Sequence, residues 1–244
     1  GSFYTVCFDQ DPVQLQKSAE ELGKKHTLIE TCFSLSQPAF SGRHINSTLL
    51  IPQSFKPEDR MELYPKESVK RQVKQARKAP LSLALHTGQI PPEWYSLHVE
   101  TRARLQSVPH PPRYFTALAD SFGQSLHAVL ALDGSKIAAS ALFIVHDDYA
   151  HLIDNISLPS YWPMRANNLV YDEMIRISIE KKVRFLDFGL TGSRDVTHLE
   201  FKRGFGGTPF FMAERTFGGP LQRAVGFGRR IARGLERRLK KRIN

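Results

Sequence analysis

Residues 163–207 read PMRANNLVYDEMIRISIEKKVRFLDFGLTGSRDVTHLEFKRGFGG, and several side chains suited to chemistry are spaced along them. Arg165, Asn167 and Asn168 stand in a loop just ahead of a run with apolar residues at helical spacing: Leu169, Met174, Ile175, Ile177 and Ile179. The first amides of such a helix are unpaired and its N-terminal end is positive, so a loop that brings an Arg there can hold an anion. Asn167 is also a suitable helix N-cap, which is its alternative role. Asp187 closes a short apolar strand over 184–188, just before Gly189. Burial there would raise its pKa and make it a base. The competing role is to accept hydrogen bonds from the adjoining Gly-Leu-Thr-Gly turn. Asp154 and Asn155, on the strand this layout sets facing Asp187, and Glu200, beside Lys202, are further candidates. The histidines at 98, 110, 127, 146, 151 and 198 show neither metal-ligand nor triad spacing and read as surface or core residues. A G-x-S-x-G motif is absent, which argues against a covalent hydrolase.

The elements that must position these residues can be read from periodicity and turn chemistry. Helices are expected over 12–24, over 67–79, over 94–105, over 114–122, over 166–181 and over 196–203, where apolar residues recur at helical spacing or Pro and Gly set the ends. Strands are expected over 26–35, 47–51, 81–86, 125–132, 136–145, 149–156, 184–188 and 209–213. Asp133-Gly134 is a hairpin signal, and with the Asp147-Asp148 turn it makes a three-stranded antiparallel meander of residues 125–156. The first 86 residues hold too few strands for a sheet of their own and should lean on the strands beyond residue 86.

At 244 residues and 41% hydrophobic, the chain can bury a core and form one large or two small domains. Cys7 and Cys32 have no metal spacing and form no disulfide framework, and no metal site is expected. No apolar run reaches the roughly 18 residues a membrane span needs. The Gly-Ser start reads as a cloning remnant, so the natural N-terminus and any targeting signal are expected upstream. The net charge is +10, and residues 221–244 hold nine Lys or Arg against the single Glu236. Ile231, Leu235, Leu239 and Ile243 recur every four residues in that tail, the pattern of a basic amphipathic helix suited to an anionic membrane or to RNA. A second basic cluster, Lys66, Lys70, Arg71, Lys74, Arg77 and Lys78, falls on an expected helix, where it either attracts phosphates or forms a solvated face.

Six segments in order, KRQVKQARKA (70–79), TRARLQSVPHPPRYFTAL (101–118), ALDGSKIAASALF (131–143), RANNLVYDEMI (165–175), FLDFGLT (185–191) and FKRGFGG (201–207), give the chain its family resemblance. Over about 45–213 it resembles the Fem-type transferases, tandem GNAT-fold enzymes related to FemA and FemB, including relatives found with exopolysaccharide and exosortase systems. The resemblance implies an α/β (α+β) fold with a GNAT-like mixed sheet flanked by helices: a partial first unit over 1–86, a complete second over 87–215 and a basic C-terminal helix over 216–244. It implies acyl transfer onto an amine, the donor being a co-substrate rather than a bound cofactor. Aminoacyl-tRNA is the leading donor, with an amine on a cell-wall precursor or small metabolite as acceptor. The alternative is an acyl-CoA or acyl-carrier thioester in envelope or exopolysaccharide assembly, and a third reading is a catalytically silent protein that binds RNA or membrane. Phe201-Lys202 matches the family's Phe-Lys pair, so Phe201 is assigned to the donor and Lys202 to stabilising negative charge; the competing place for Lys202 is a solvent-facing helix position. Arg165, Asn167 and Asn168 would hold donor phosphate if the donor is a thioester of CoA, although the usual glycine-rich loop is absent. Lys70, Arg71, Lys74 and Arg77 match the family's basic stretch and would grip a nucleotide diphosphate or the tRNA backbone. The expected location is cytoplasmic, with the tail touching the inner face of the membrane.

Overall fold

A computed structural model describes residues 28–33, 44–192 and 195–217; the helix expected over 12–24 and the tail helix within 216–244 lie outside these residues. The chain divides into two compact units, 44–210 and 1–43 with 211–244. In the latter, β1 (Leu28–Phe33) pairs antiparallel with the far part of β8 (Thr208–Phe217), Leu28 opposite Phe217 and Phe33 opposite Met212.

The 44–210 unit is built on β2 (His44–Leu50), β3 (Ser82–Thr87), β4 (Leu126–Asp133), β5 (Lys136–His146), β6 (Tyr149–Ser157) and β7 (Phe185–Gly192). Their order is β2-β7-β6-β5-β4-β3, and β8 begins next to β2. All the pairs across this order from β2 to β3 are antiparallel except β6 with β7, which is parallel. The meander closes through two-residue turns, with Gly134 at φ +57° and Asp147 at φ +51° taking the left-handed conformation such turns demand. β2 and β3 fall within the expected first unit of 1–86, yet they pair directly with β7 and β4. A sheet that leans on later strands is thus one sheet, and position 86 falls inside it.

Five helices are described: α1 (Glu67–Lys78), α2 (Pro92–Arg104), α3 (Pro112–Phe122), α4 (Ala166–Glu180) and α5 (Val196–Gly204). α4 carries eleven buried residues along its length, as a helix covering a sheet must. α1 buries Val69, Val73 and Ala76 and packs against α4, and Asn168 Nδ2 donates to Gln72 Oε1 at 3.1 Å across that contact. α2 lies on the other face of the sheet. Successive strand residues point to opposite faces: Ser140 of β5 accepts from Trp94 Nε1 of α2 at 2.9 Å, whereas Asn155, opposite Ala141, donates to Asn167 of α4.

Polar ties hold α4 to α1 and to the segment before it. Asp172 accepts from Arg60 at 3.1 and 3.2 Å, from the Tyr64 hydroxyl at 2.9 Å, and from Arg77 of α1. The short 3-10 segment Pro57–Leu63 that carries Arg60 has no periodic signature in the sequence.

Candidate active site

The parallel ladder of β6 and β7 is short. It joins Tyr149 to Phe185, Ala150 to Leu186 and His151 to Asp187, although both strands run on to Ser157 and Gly192. The interruption on β6 has a local cause: β5 residues Leu142 and Phe143 pair with Asp154 and Leu152, so Ile153 is an extra residue, a bulge that bends its strand. On β7, Gly189 takes φ +73°, and a Cβ there would come to 3.1 Å from the Leu152 carbonyl oxygen. A glycine lets the backbones pass at the point where the ladder stops. Asp187 and His151 stand at that throat.

Asp187 is fully buried and is held from several sides: Oδ2 accepts from the Tyr149 hydroxyl at 2.7 Å and from His151 Nδ1 at 3.0 Å, and Oδ1 from the Gly189 amide at 2.7 Å. Burial pushes the carboxyl upward, but the hydrogen bond and the charge of His151, with hydrogen bonds from Asn46 and Tyr149, outweigh it and hold the pKa below the ordinary value. The expectation of a raised pKa, and with it Asp187 as the base, is therefore corrected. The hydrogen bond to the adjoining turn is present. An ionised carboxylate can only accept, so His151 Nδ1 carries a proton, and in the neutral ring Nε2 is the acceptor nitrogen. The His151 side chain is 28% exposed, so that nitrogen belongs to a ring that solvent and substrate can reach. His151 and Tyr149 are the residues sequence reasoning passes over; their signal is the i, i+2 spacing on one face of a strand that proves to be register-matched to Asp187.

Lys202 sits on α5 yet is only 1% exposed, which removes the solvent-facing alternative. Its ammonium donates to the carbonyls of Gly189 at 2.7 Å and Leu190 at 3.4 Å, just past the throat. Burial depresses its pKa to about 8, the charge of Asp187 acting in the opposite direction. Phe201 packs edge-on against Tyr171 at 4.9 Å, in a ring cluster with Phe205. The three glycines of FKRGFGG are packing requirements: an added Cβ would reach Val69 Cγ2 at 2.6 Å from Gly204, the Leu63 carbonyl at 2.5 Å from Gly206, and the Lys202 carbonyl at 2.9 Å from Gly207.

The other expected residues are scattered around this throat. Asp154 lies beyond the bulge and does not face Asp187; it is buried and bound by His98 Nδ1 at 2.6 Å and by Arg102, both on α2. His98 Nε2 in turn accepts from the His110 amide at 3.1 Å, so both ring nitrogens are occupied. Arg165, not Asn167, is the N-cap of α4, with φ +59° and no side-chain cap. Its Nε is buried with no hydrogen-bond partner among the described residues. Asn167 donates to Ser157 Oγ at 3.2 Å, which ties the head of α4 to the end of β6. Glu200 is paired at the surface with Lys66 and Arg203. Of the basic helix, Lys70 is paired with Glu67 and Arg77 with Asp172, while Arg71 and Lys74 are exposed. Among the described residues no group of three or more His, Cys, Asp or Glu is placed to hold a metal ion, and no helix is long and apolar enough to cross a membrane.

An antiparallel meander, a bulged strand, a crossover helix and a parallel strand that leaves its neighbour after three residue pairs define a GNAT-type acyltransferase. The sequence over 66–203 matches the family described as an acetyltransferase (GNAT) domain, and the chain belongs to it. No curated protein matches in sequence. Among solved structures the fold is similar to that of FemX, at 12% identity and a TM-score of 0.62, covering 87% of this chain and 78% of that one. It is also similar to a conserved protein of unknown function from Bacteroides thetaiotaomicron, at 10% identity and a TM-score of 0.59 over 89% and 79% of the two chains. A third likeness is to the C-terminal domain of a putative lysylphosphatidylglycerol synthetase from Agrobacterium fabrum, at 11% identity and a TM-score of 0.52 over 88% and 74%.

Proposed function

We propose that this acyltransferase forms an amide bond by moving an aminoacyl group from aminoacyl-tRNA to an amine on a cell-wall precursor or a small metabolite. The observation that carries the chemistry is the Asp187–His151 pair at the throat between β6 and β7. Asp187 fixes the ring and its tautomer; His151 Nε2 takes the proton of the attacking amine as the new N–C bond forms. The carbonyl oxygen gains negative charge in that step. The buried charge of Lys202, held just past the throat on the Gly189 and Leu190 carbonyls, lowers the energy of an anion nearby. As the tetrahedral species collapses, the bond from the carbonyl carbon to the ribose oxygen breaks and the proton passes from His151 to that oxygen, leaving the ring neutral again.

The choice of donor rests on the Fem-type resemblance, on the likeness in fold to FemX, and on the head of α4, where PMRANN has no glycine to let backbone amides wrap a pyrophosphate. The family's own description as an acetyltransferase domain favours a second reading, an acyl thioester as donor. One assay separates them: radiolabelled transfer to an amine acceptor, run in parallel with charged tRNA and with acyl-CoA. Charged tRNA should be consumed, and His151→Gln and Asp187→Asn should each slow turnover by about 100-fold or more. Consumption of acyl-CoA alone establishes the second reading. Consumption of neither donor, or a His151→Gln enzyme as fast as the parent, overturns the proposal.

A further inference from the structure

Between the end of β6 and the head of α4 the chain exposes an indole that it also holds still. Trp162 is 46% exposed, unusual for so large an apolar ring in a well-packed unit. Its Nε1 donates to Ser157 Oγ at 3.1 Å, the same oxygen that accepts from Asn167 at the start of α4. The guanidinium of Arg104, at the end of α2, lies over the indole with Cζ 5.0 Å from the ring centroid, and its Nη2 reaches toward the Ser157 carbonyl at 3.5 Å. The end of α2 and the continuous stretch 157–167 thus meet to orient one exposed ring. The backbone of the same turn is closed by the Arg165 amide, which donates to the Trp162 carbonyl at 3.0 Å. The indole hydrogen bond is satisfied and the ring still faces solvent, so the arrangement contributes little to the core.

A rigid aromatic ring beside a guanidinium is the kind of surface on which nucleic-acid bases stack, because every base presents a π-face and the guanidinium adds cation–π attraction and charge for the phosphate. This surface is joined through Ser157 and Asn167 to the end of β6, the strand that carries His151. Both candidate donors, an aminoacyl ester of tRNA and a thioester of coenzyme A, carry nucleotide bases. Ser157 lies six residues from His151 along β6, about 20 Å, and we infer that Trp162 and Arg104 form the platform on which a base of the acyl donor remote from the reacting ester stacks: the adenine of coenzyme A or, in tRNA, a base of the acceptor end other than the acylated adenosine. The inference rests on the transferase reading for the identity of the ligand, but not for its chemistry: it requires only that a nucleotide base stack here.

The chain has two tryptophans, and the other, Trp94, is fully buried. Adenosine monophosphate titrated into the full chain should therefore quench the emission of Trp162, and the quench should vanish in Trp162→Phe. Calorimetric titration of the same nucleotide should show an affinity about tenfold weaker in Trp162→Leu, a smaller loss in Arg104→Gln, and near-parent affinity in Trp162→Phe, which keeps a stacking ring. Thermal melting checks that the variants are folded; Trp162→Phe keeps the test open should Trp162→Leu unfold. Competition identifies the source of the base: displacement of the nucleotide by deacylated tRNA or by coenzyme A supports the platform and names the donor. Displacement by neither, or parent-like affinity in Trp162→Leu, overturns it. Nucleotide binding lost in Trp162→Leu without transfer of any acyl group keeps the platform and sinks the transferase reading. Transfer with an unchanged donor KM in Trp162→Leu sinks the platform alone.

Discussion

Lys202 is an ammonium enclosed by protein and neutralised only in part: it donates to two backbone carbonyls, and burial lowers its pKa to about 8. That lowering sets the sign of its effect on stability. Below about pH 8 the lysine is protonated in both the folded and the unfolded chain, and the cost of burying the charge is carried in full. Between about 8 and the ordinary value of 10.5 the unfolded chain keeps a proton that the folded one has released, so stability rises with pH. The lowered value corresponds to roughly 2–3 kcal/mol over the interval from pH 7 to 10. Denaturant unfolding of the parent and of Lys202→Met at the two pH values tests this, because every other titrating group is common to both. The parent should gain roughly 2–3 kcal/mol on the variant as the pH rises. A difference independent of pH would mean that the folded lysine keeps its proton to the ordinary value, and Lys202 would then hold a full charge at the throat throughout.

At the scale of elements, α5 is fastened by the absence of side chains as much as by their presence. Gly206 combines φ +88° with a Leu63 carbonyl only 2.5 Å from where a Cβ would stand, whereas Gly134, also left-handed at φ +57°, faces open space. Gly134→Ala should cost about 1 kcal/mol, the conformational term alone, and Gly206→Ala clearly more, because the 3-10 segment must also retreat. Melting temperatures rank the two, and equal losses would show that α5 does not pack as closely as FKRGFGG indicates. That motif is visible in the sequence; its reason is not, since the partners Leu63 and Val69 lie far upstream. The same division runs through the rest of the fold. The meander is legible because Gly134 and the Asp147-Asp148 turn are local signals, and α1 and α4 because apolar spacing is periodic. In sequence β7 reads as ending at 188, since Gly189 resembles a stop, yet the strand continues to Gly192 with the glycine serving close approach to Leu152. The His151–Asp187 pair is illegible because 36 residues separate its members and a parallel register, which no turn announces, brings them together. Burial of Lys202 and the occupation of Asp154 by His98 and Arg102 depend on tertiary packing in the same way.

Across the whole molecule, charge is segregated from chemistry. Of the net +10, residues 221–244 carry an excess of eight, so the remaining 220 residues hold an excess of only two. The basic helix α1, the other candidate for gripping a polyanion, has two of its cations engaged within the protein, Lys70 with Glu67 and Arg77 with Asp172. If tRNA delivers the acyl group, the long-range attraction must come mainly from the tail, while Trp162 and Arg104 act on a base near the end of the donor. Electrostatic binding to nucleic acid weakens with salt in proportion to the phosphates neutralised, with a logarithmic slope of about 0.7–0.9 per contact. Replacing Arg229, Arg230, Arg233 and Arg237 by Gln should therefore reduce the slope for deacylated tRNA by up to about 3, and leave the affinity for adenosine monophosphate unchanged. Filter binding between low and moderate salt measures the first quantity and calorimetry the second. A slope that does not move would transfer the backbone contact to the exposed Arg71 and Lys74 of α1, and the tail would lose its role in holding RNA.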